Sequence, residues 1–171
     1  SFGNKIIAEN TFSIISPIYF GKTYPVIQSD LQKDNDEPIT SVVYAVGADL
    51  SGKNFDDLNL QNAVFDKADL SNTSFKNANI DGARFAFANL DNSNLLDRTD
   101  LHNVNLAGVD LSNTSLKGKD LSGANLSYVD LSEHDLTGTN LIGTTLSHVK
   151  FSNTNLKGKD ISGANLSYVD L

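Results

Sequence analysis

Large apolar residues recur every fifth position along most of this chain. The series runs Leu50, Phe55, Leu60, Phe65, Leu70, Phe75, Ile80, Phe85, Leu90, Leu95. It slips by one residue, resumes at Leu101, Leu106 and Leu111, and continues every fifth residue to Leu171. A period of five is neither the roughly 3.6 of a helix nor the alternation of a flat strand. On an α-helix every fifth residue advances about 500°, so successive leucines would spiral around the surface and share no face. The residue before each central one is usually Asp, Asn or Ser, and the second residue after it is often Gly or Asn. These residues favour turns and disfavour helices. A chain that turns every five residues, with one large apolar side chain pointing inward each time, predicts a solenoid. One coil has too small a core to stand alone, and stacked coils bury a continuous one.

The quintets carry a resemblance. "ADLSG" at 48–52, "ADLSN" at 68–72, "ANIDG" at 78–82, "ANLDN" at 88–92 and "ANLSY" at 124–128 and 164–168 match Ala-(Asp/Asn)-Leu-x-x, the motif of the pentapeptide-repeat family. The resemblance covers residues 48–171, with a one-residue insertion near 95–96 that is expected to form a β-bulge. It implies an all-β fold, a right-handed quadrilateral β-helix. Four quintets then make one coil, and both the central residue and the residue two before it point inward.

On that geometry a repeated phrase acquires a place. "GKDLSGANLSYVDL" at 118–131 and "GKDISGANLSYVDL" at 158–171 differ only at Leu121 against Ile161. Forty residues are two coils, so the copies lie on the same faces, roughly 10 Å apart. Duplication of repeats would by itself leave the same identity. Val109, Val129, Val149 and Val169 form one inward column, and Val104, Ala124, Thr144 and Ala164 another. Two columns depart from small apolar residues: Thr99, Lys119, Thr139, Lys159, and Thr114, His134, Thr154. A buried unpaired ammonium is costly. Lys119 and Lys159 are therefore expected to snorkel through the wall or to widen the turn. His134 is expected to be a corner residue and not a ligand.

Residues 1–47 do not follow the repeat. "KIIAENTFSIISPIYFGKTYPVI" is rich in β-branched and aromatic residues with Gly and Pro breaks, so it predicts short strands. "QSDLQKDNDEP" at 28–38 is a polar, acidic loop, and "ITSVVYAV" at 39–46 a strand entering the first coil. The end of a solenoid exposes unpaired backbone, and residues 1–47 are expected to form that cap or a small subdomain. The chain stops mid-coil at Leu171 with no such segment, which is expected of a fragment of a larger bacterial protein. End-to-end self-association at the open C-terminal coil is the competing reading.

Composition narrows the function. The 171 residues carry a net charge of −8, which disfavours direct nucleic-acid or anionic-membrane binding. Cysteine is absent, which excludes thiol chemistry. No apolar run approaches a membrane span, and the first residues lack a signal peptide's pattern, so a cytoplasmic location is expected, with a secreted effector as alternative. No nucleophile motif is present. His102, His134 and His148 fall in different columns without the spacing of a zinc site, so neither cofactor nor metal is expected.

The surface columns remain. Gly108, Tyr128, His148 and Tyr168 share one corner, and Asp110, Asp130, Lys150 and Asp170 run beside it. Tyrosine is enriched at interaction hot spots, so Tyr128, His148, Tyr168, Asp130 and Asp170 are the candidate protein-binding residues. Alternating Lys with Asp also relieves charge repulsion without any partner. The favoured function is a non-catalytic scaffold that binds another protein or a neighbouring domain. The resemblance also implies an alternative, a DNA mimic that binds DNA gyrase and gives quinolone resistance, though Lys117, Lys119, Lys150, Lys157 and Lys159 interrupt the acidic field. An enzyme is the least favoured reading.

Overall fold

The computed structural model describes residues 43–169. The expected cap lies outside the described residues except for 43–47, and so does Asp170. Parallel bridges join Tyr44 to Val64 and Val64 to Arg84, and likewise Asp49 to Asp69 and Asp69 to Asn89. Each step is twenty residues, so four quintets close one coil. Pairing takes the form of isolated bridges, one to a side, because the chain turns before a longer strand can form.

The turns explain the polar part of the quintet. The N–H three residues after a central residue donates back to its carbonyl, as Lys53 does to Leu50 O at 3.1 Å. The residue two after it is left-handed, with φ of 68° at Gly52 and 59° at Asn62. L-residues with a Cβ resist that region, and Gly, Asn and Asp tolerate it best. The residue before the central one holds the turn through its side chain: Asp69 Oδ1 accepts the Ser71 N–H at 3.0 Å, and Asn79 Oδ1 that of Asp81 at 3.2 Å. The same side chains tie coil to coil, since Asn79 Nδ2 donates to Asn59 Oδ1 at 3.1 Å.

The central residues fill the core. In the first coils it is aromatic. Phe55 stacks on Phe75 at 4.8 Å and Phe65 on Phe85 at 5.3 Å, with edge contacts between the two stacks. From Leu90 onward leucine predominates, and Leu106, Leu121, Leu126, Leu131, Leu141 and Leu146 are fully buried. Ala63, Ala83, Ala124 and the Val109, Val129 and Val149 column pack beside them.

The insertion takes another form than a bulge. Asn94–Asp97 is a single turn of 3-10 helix, with Ser93 capping the Leu95 N–H, and Leu95 and Leu96 are both buried. A strand would point one of two successive leucines outward, whereas a helical turn brings both to the core. Across it the coil step is twenty-one residues, with Arg84 paired to Asn105, and beyond it the step returns to twenty, with Asn105 paired to Asn125.

The lysines differ from expectation too. Lys119 does not snorkel. It is 6% exposed, and its Nζ donates to Leu96 O and Arg98 O, both at 2.7 Å. Lys159 Nζ donates to Leu136 O, and Thr139 Oγ1 to Leu116 O at 2.7 Å. Each of these acceptors belongs to the coil before, and backbone bridges at Ser115, Asp135 and Asn155 are missing on this side among the described residues. The polar side chains take the carbonyls that the ladder leaves free, which is why they stay inside. Burial pushes the Lys119 ammonium below its usual range, opposed by Asp97.

Candidate functional site

The third residue of each turn projects from a corner. At three of the four corners this residue is Gly, Asn, Asp or Glu throughout the regular turns. The fourth corner carries Phe87, Tyr128, His148 and Tyr168, with φ of 57°, 66°, 60° and 60°. A bulky residue in the left-handed region costs about 1–2 kcal/mol. These four residues are therefore held where the backbone would prefer glycine.

Their rings form a ladder. Tyr128 stacks on His148 at 4.6 Å between centroids and His148 on Tyr168 at 4.7 Å, with ring planes within 18° and 22° of parallel. Phe87 lies 6.2 Å from Tyr128. The intervening coil supplies Gly108 at this corner, and the Phe87 ring leans across it so closely that a Cβ at 108 would meet the ring. Stacking of this kind contributes about 0.5–1.5 kcal/mol per pair, comparable to the backbone cost. The ladder nevertheless stays open to solvent: Phe87 is 53%, Tyr128 58% and Tyr168 81% exposed.

Three of the predicted residues thus meet in one stack. Asp130 lies beside them on the adjoining side, bridged to Lys150 in the next coil, whose Nζ is 3.4 Å from Asp130 Oδ2. The hydroxyl and N–H of Ser132 hold the Asp130 carboxyl below its usual range. Asp170 falls outside the described residues. Phe87 was missed because a count by twenty ends at Gly108 and then at residue 88. Subtracting the inserted residue places Phe87 in the column.

The other histidines lie elsewhere. His102 sits on a different side, its Nδ1 hydrogen-bonded to Asp100 and its Nε2 3.6 Å from Asp81 Oδ1. His134 is half-buried, near Tyr128 and Glu133 around a neighbouring cleft. Among the described residues no group of His, Asp or Glu is placed to hold a metal ion. Several basic residues pair with the carboxylates around them, Lys117 with Asp135 at 3.7 Å and Arg84 with Asp66 at 2.5 Å.

The profile of the pentapeptide repeats (8 copies) matches this chain in six overlapping stretches, at residues 44–77, 59–95, 78–118, 105–141, 120–158 and 140–171. The chain belongs to the pentapeptide-repeat family and has the right-handed β-helix of that family. Similar solved structures include HetL, a pentapeptide repeat protein involved in heterocyst differentiation regulation in the cyanobacterium Nostoc sp. strain PCC 7120. It is 24% identical over 75% of this chain, with a TM-score of 0.31, and the match spans 61% of HetL. Rfr23 from the cyanobacterium Cyanothece 51142 is 20% identical over 74% of this chain and 86% of its own, with a TM-score of 0.30. QnrB1, a plasmid-mediated fluoroquinolone resistance protein, is 21% identical over 74% and 79%, with a TM-score of 0.32. No curated protein sequence matches the chain.

Proposed function

We propose that this chain is a non-catalytic scaffold that binds another protein or a neighbouring domain through the Phe87–Tyr128–His148–Tyr168 corner. The observation that carries this reading is the continuous stack of exposed aromatic rings at one corner, at backbone positions that disfavour them. Stacking alone only offsets that cost, and Asn at the same positions serves the fold at the other corners without it. Rings already stacked lose little freedom on binding and bury large areas against a partner. Asp130 beside the ladder gives the contact a charged rim.

The test replaces Tyr128 and Tyr168 by Asn, the residue this backbone accepts elsewhere. Binding partners are captured with the wild type and with the double variant, after both are shown to unfold at similar temperatures. Loss of a wild-type partner from the double variant supports the reading. Equal capture by both makes the corner part of the repeat alone. Inhibition of gyrase supercoiling that survives the double substitution would replace this reading with the DNA-mimic one.

A further inference from the structure

Coil-to-coil pairing fails locally on one side of the solenoid, around residues 110–113. Across the insertion the coils pair normally on the preceding side, where Phe85 N–H donates to Asn105 O and Phe87 N–H to Ala107 O, both at 2.7 Å. Carried five residues on, that register calls for Leu90 N–H to Asp110 O and Asn92 N–H to Ser112 O. Neither bond is present among the described residues. The opposite edge of the same segment is open too, since Leu111 N–H and Asn113 N–H do not reach Asp130 O and Ser132 O. One coil further the pairing returns, with Leu131 N–H on Lys150 O at 2.9 Å. The cause lies at both ends of the gap. The Asn94–Asp97 turn follows directly on one wall, and Asn113 on the other leaves the left-handed turn that its neighbours keep.

Between 90–93 and 110–115 this leaves a cleft of about 650 Å³. One wall offers the N–H groups of Leu90 and Asn92 and the facing wall the carbonyls of Asp110 and Ser112, each pair spaced two residues apart as in a parallel ladder. Asp91, Asp97 and Asp110 also line it. The Asp110 carboxyl is held below its usual range by the N–H and hydroxyl of Ser112, so it is ionised at neutral pH. The basic group of the cleft, Lys119, is held by Leu96 O and Arg98 O and offsets part of the charge of Asp97, which leaves Asp91 and Asp110 facing the opening. Unpaired backbone of this kind is a template for a further strand. The net negative charge that remains selects that strand's side chains.

We propose that this cleft binds an extended basic peptide segment. Its backbone pairs with Leu90 and Asn92 N–H and with Asp110 and Ser112 O, and its Lys or Arg side chains meet Asp91, Asp97 and Asp110. The site is separate from the aromatic corner and does not depend on it.

The probe is a fluorescein-tagged heptapeptide alternating lysine with threonine, titrated against the whole chain. Saturable binding is expected, with none for the matching glutamate–threonine peptide. Methylating alternate backbone amides of the probe keeps its charge and is expected to weaken binding by about tenfold or more. Asp91→Asn with Asp110→Asn is expected to weaken it about fivefold. Hydrogen exchange at Leu90 and Asn92 is expected to be fast in the free protein and to slow on binding. Tyr128→Asn with Tyr168→Asn leaves probe affinity unchanged, which separates this site from the corner. Equal binding of the methylated probe would reduce the effect to charge attraction and overturn the proposal. Absence of saturable binding, or of protection at Leu90 and Asn92, would overturn it too.

Discussion

The ammonium of Lys119 lies 2.7 Å from the carbonyl oxygen of Leu96, inside the solenoid. Leu96 belongs to the turn by which the repeat slips, and Lys119 stands in the next coil. The insertion exposes carbonyls that no ladder bond reaches, and a lysine one coil away closes them.

That pairing predicts a loss of stability without loss of apolar contact. Lys119→Met keeps most of the volume and leaves the Leu96 and Arg98 carbonyls buried without a donor. The expected cost is about 2 kcal/mol in urea unfolding. Deleting Leu96 restores an unbroken five-residue count, yet it removes a buried side chain and an acceptor of Lys119, so a lower melting temperature is expected. A deletion variant as stable as the wild type would show that the turn and the lysine are independent.

The stacked core predicts large effects from small truncations. Leu126 and Leu146 are fully buried and lie one coil apart. Leu126→Ala and Leu146→Ala are each expected to cost about 2–5 kcal/mol in chemical denaturation. Because the two sites touch the same layer of core, their effects should depart from additivity. Unchanged unfolding midpoints would contradict the stacking of central residues.

His102 predicts a pH dependence with a definite sign. Its hydrogen bond to Asp100, and the further charges of Asp81 and Asp120, raise its pKa above 6.5. Hydrogen bonding from His102 lowers that of Asp100 below 3.8. The histidine's contribution to stability is complete below its unfolded value and is lost as pH rises through the raised folded one. The aspartate's contribution is present above its unfolded value and is lost as pH falls through the lowered one. The pair therefore acts fully only between 3.8 and 6.5. Both side chains are well exposed, so the energy is small, about 0.5 kcal/mol or less. An NMR titration is the better measure. The His102 midpoint should lie above 6.5 and fall back in Asp100→Asn.

The five-residue spacing of leucines and phenylalanines by itself determined the stacked coils, because only a chain that turns at each quintet can bury them all. Gly, Asn and Asp in their fixed places determined the turns, since few other residues accept a left-handed backbone. Tyr128, His148 and Tyr168 could be placed at one corner by counting alone. Phe87 could not, because its place in the ladder depends on how the extra residue is absorbed. Two adjacent leucines fit a helical turn as well as a bulge until the neighbouring coils fix which of them has room inside. The inward Lys119 was equally undecided in sequence, because the acceptors that make its burial tolerable come from residues more than twenty positions away. The open edges of 110–113 belong to the same class. Whether a backbone N–H finds its carbonyl is settled by the spacing between coils, and that spacing exists only once the solenoid is stacked.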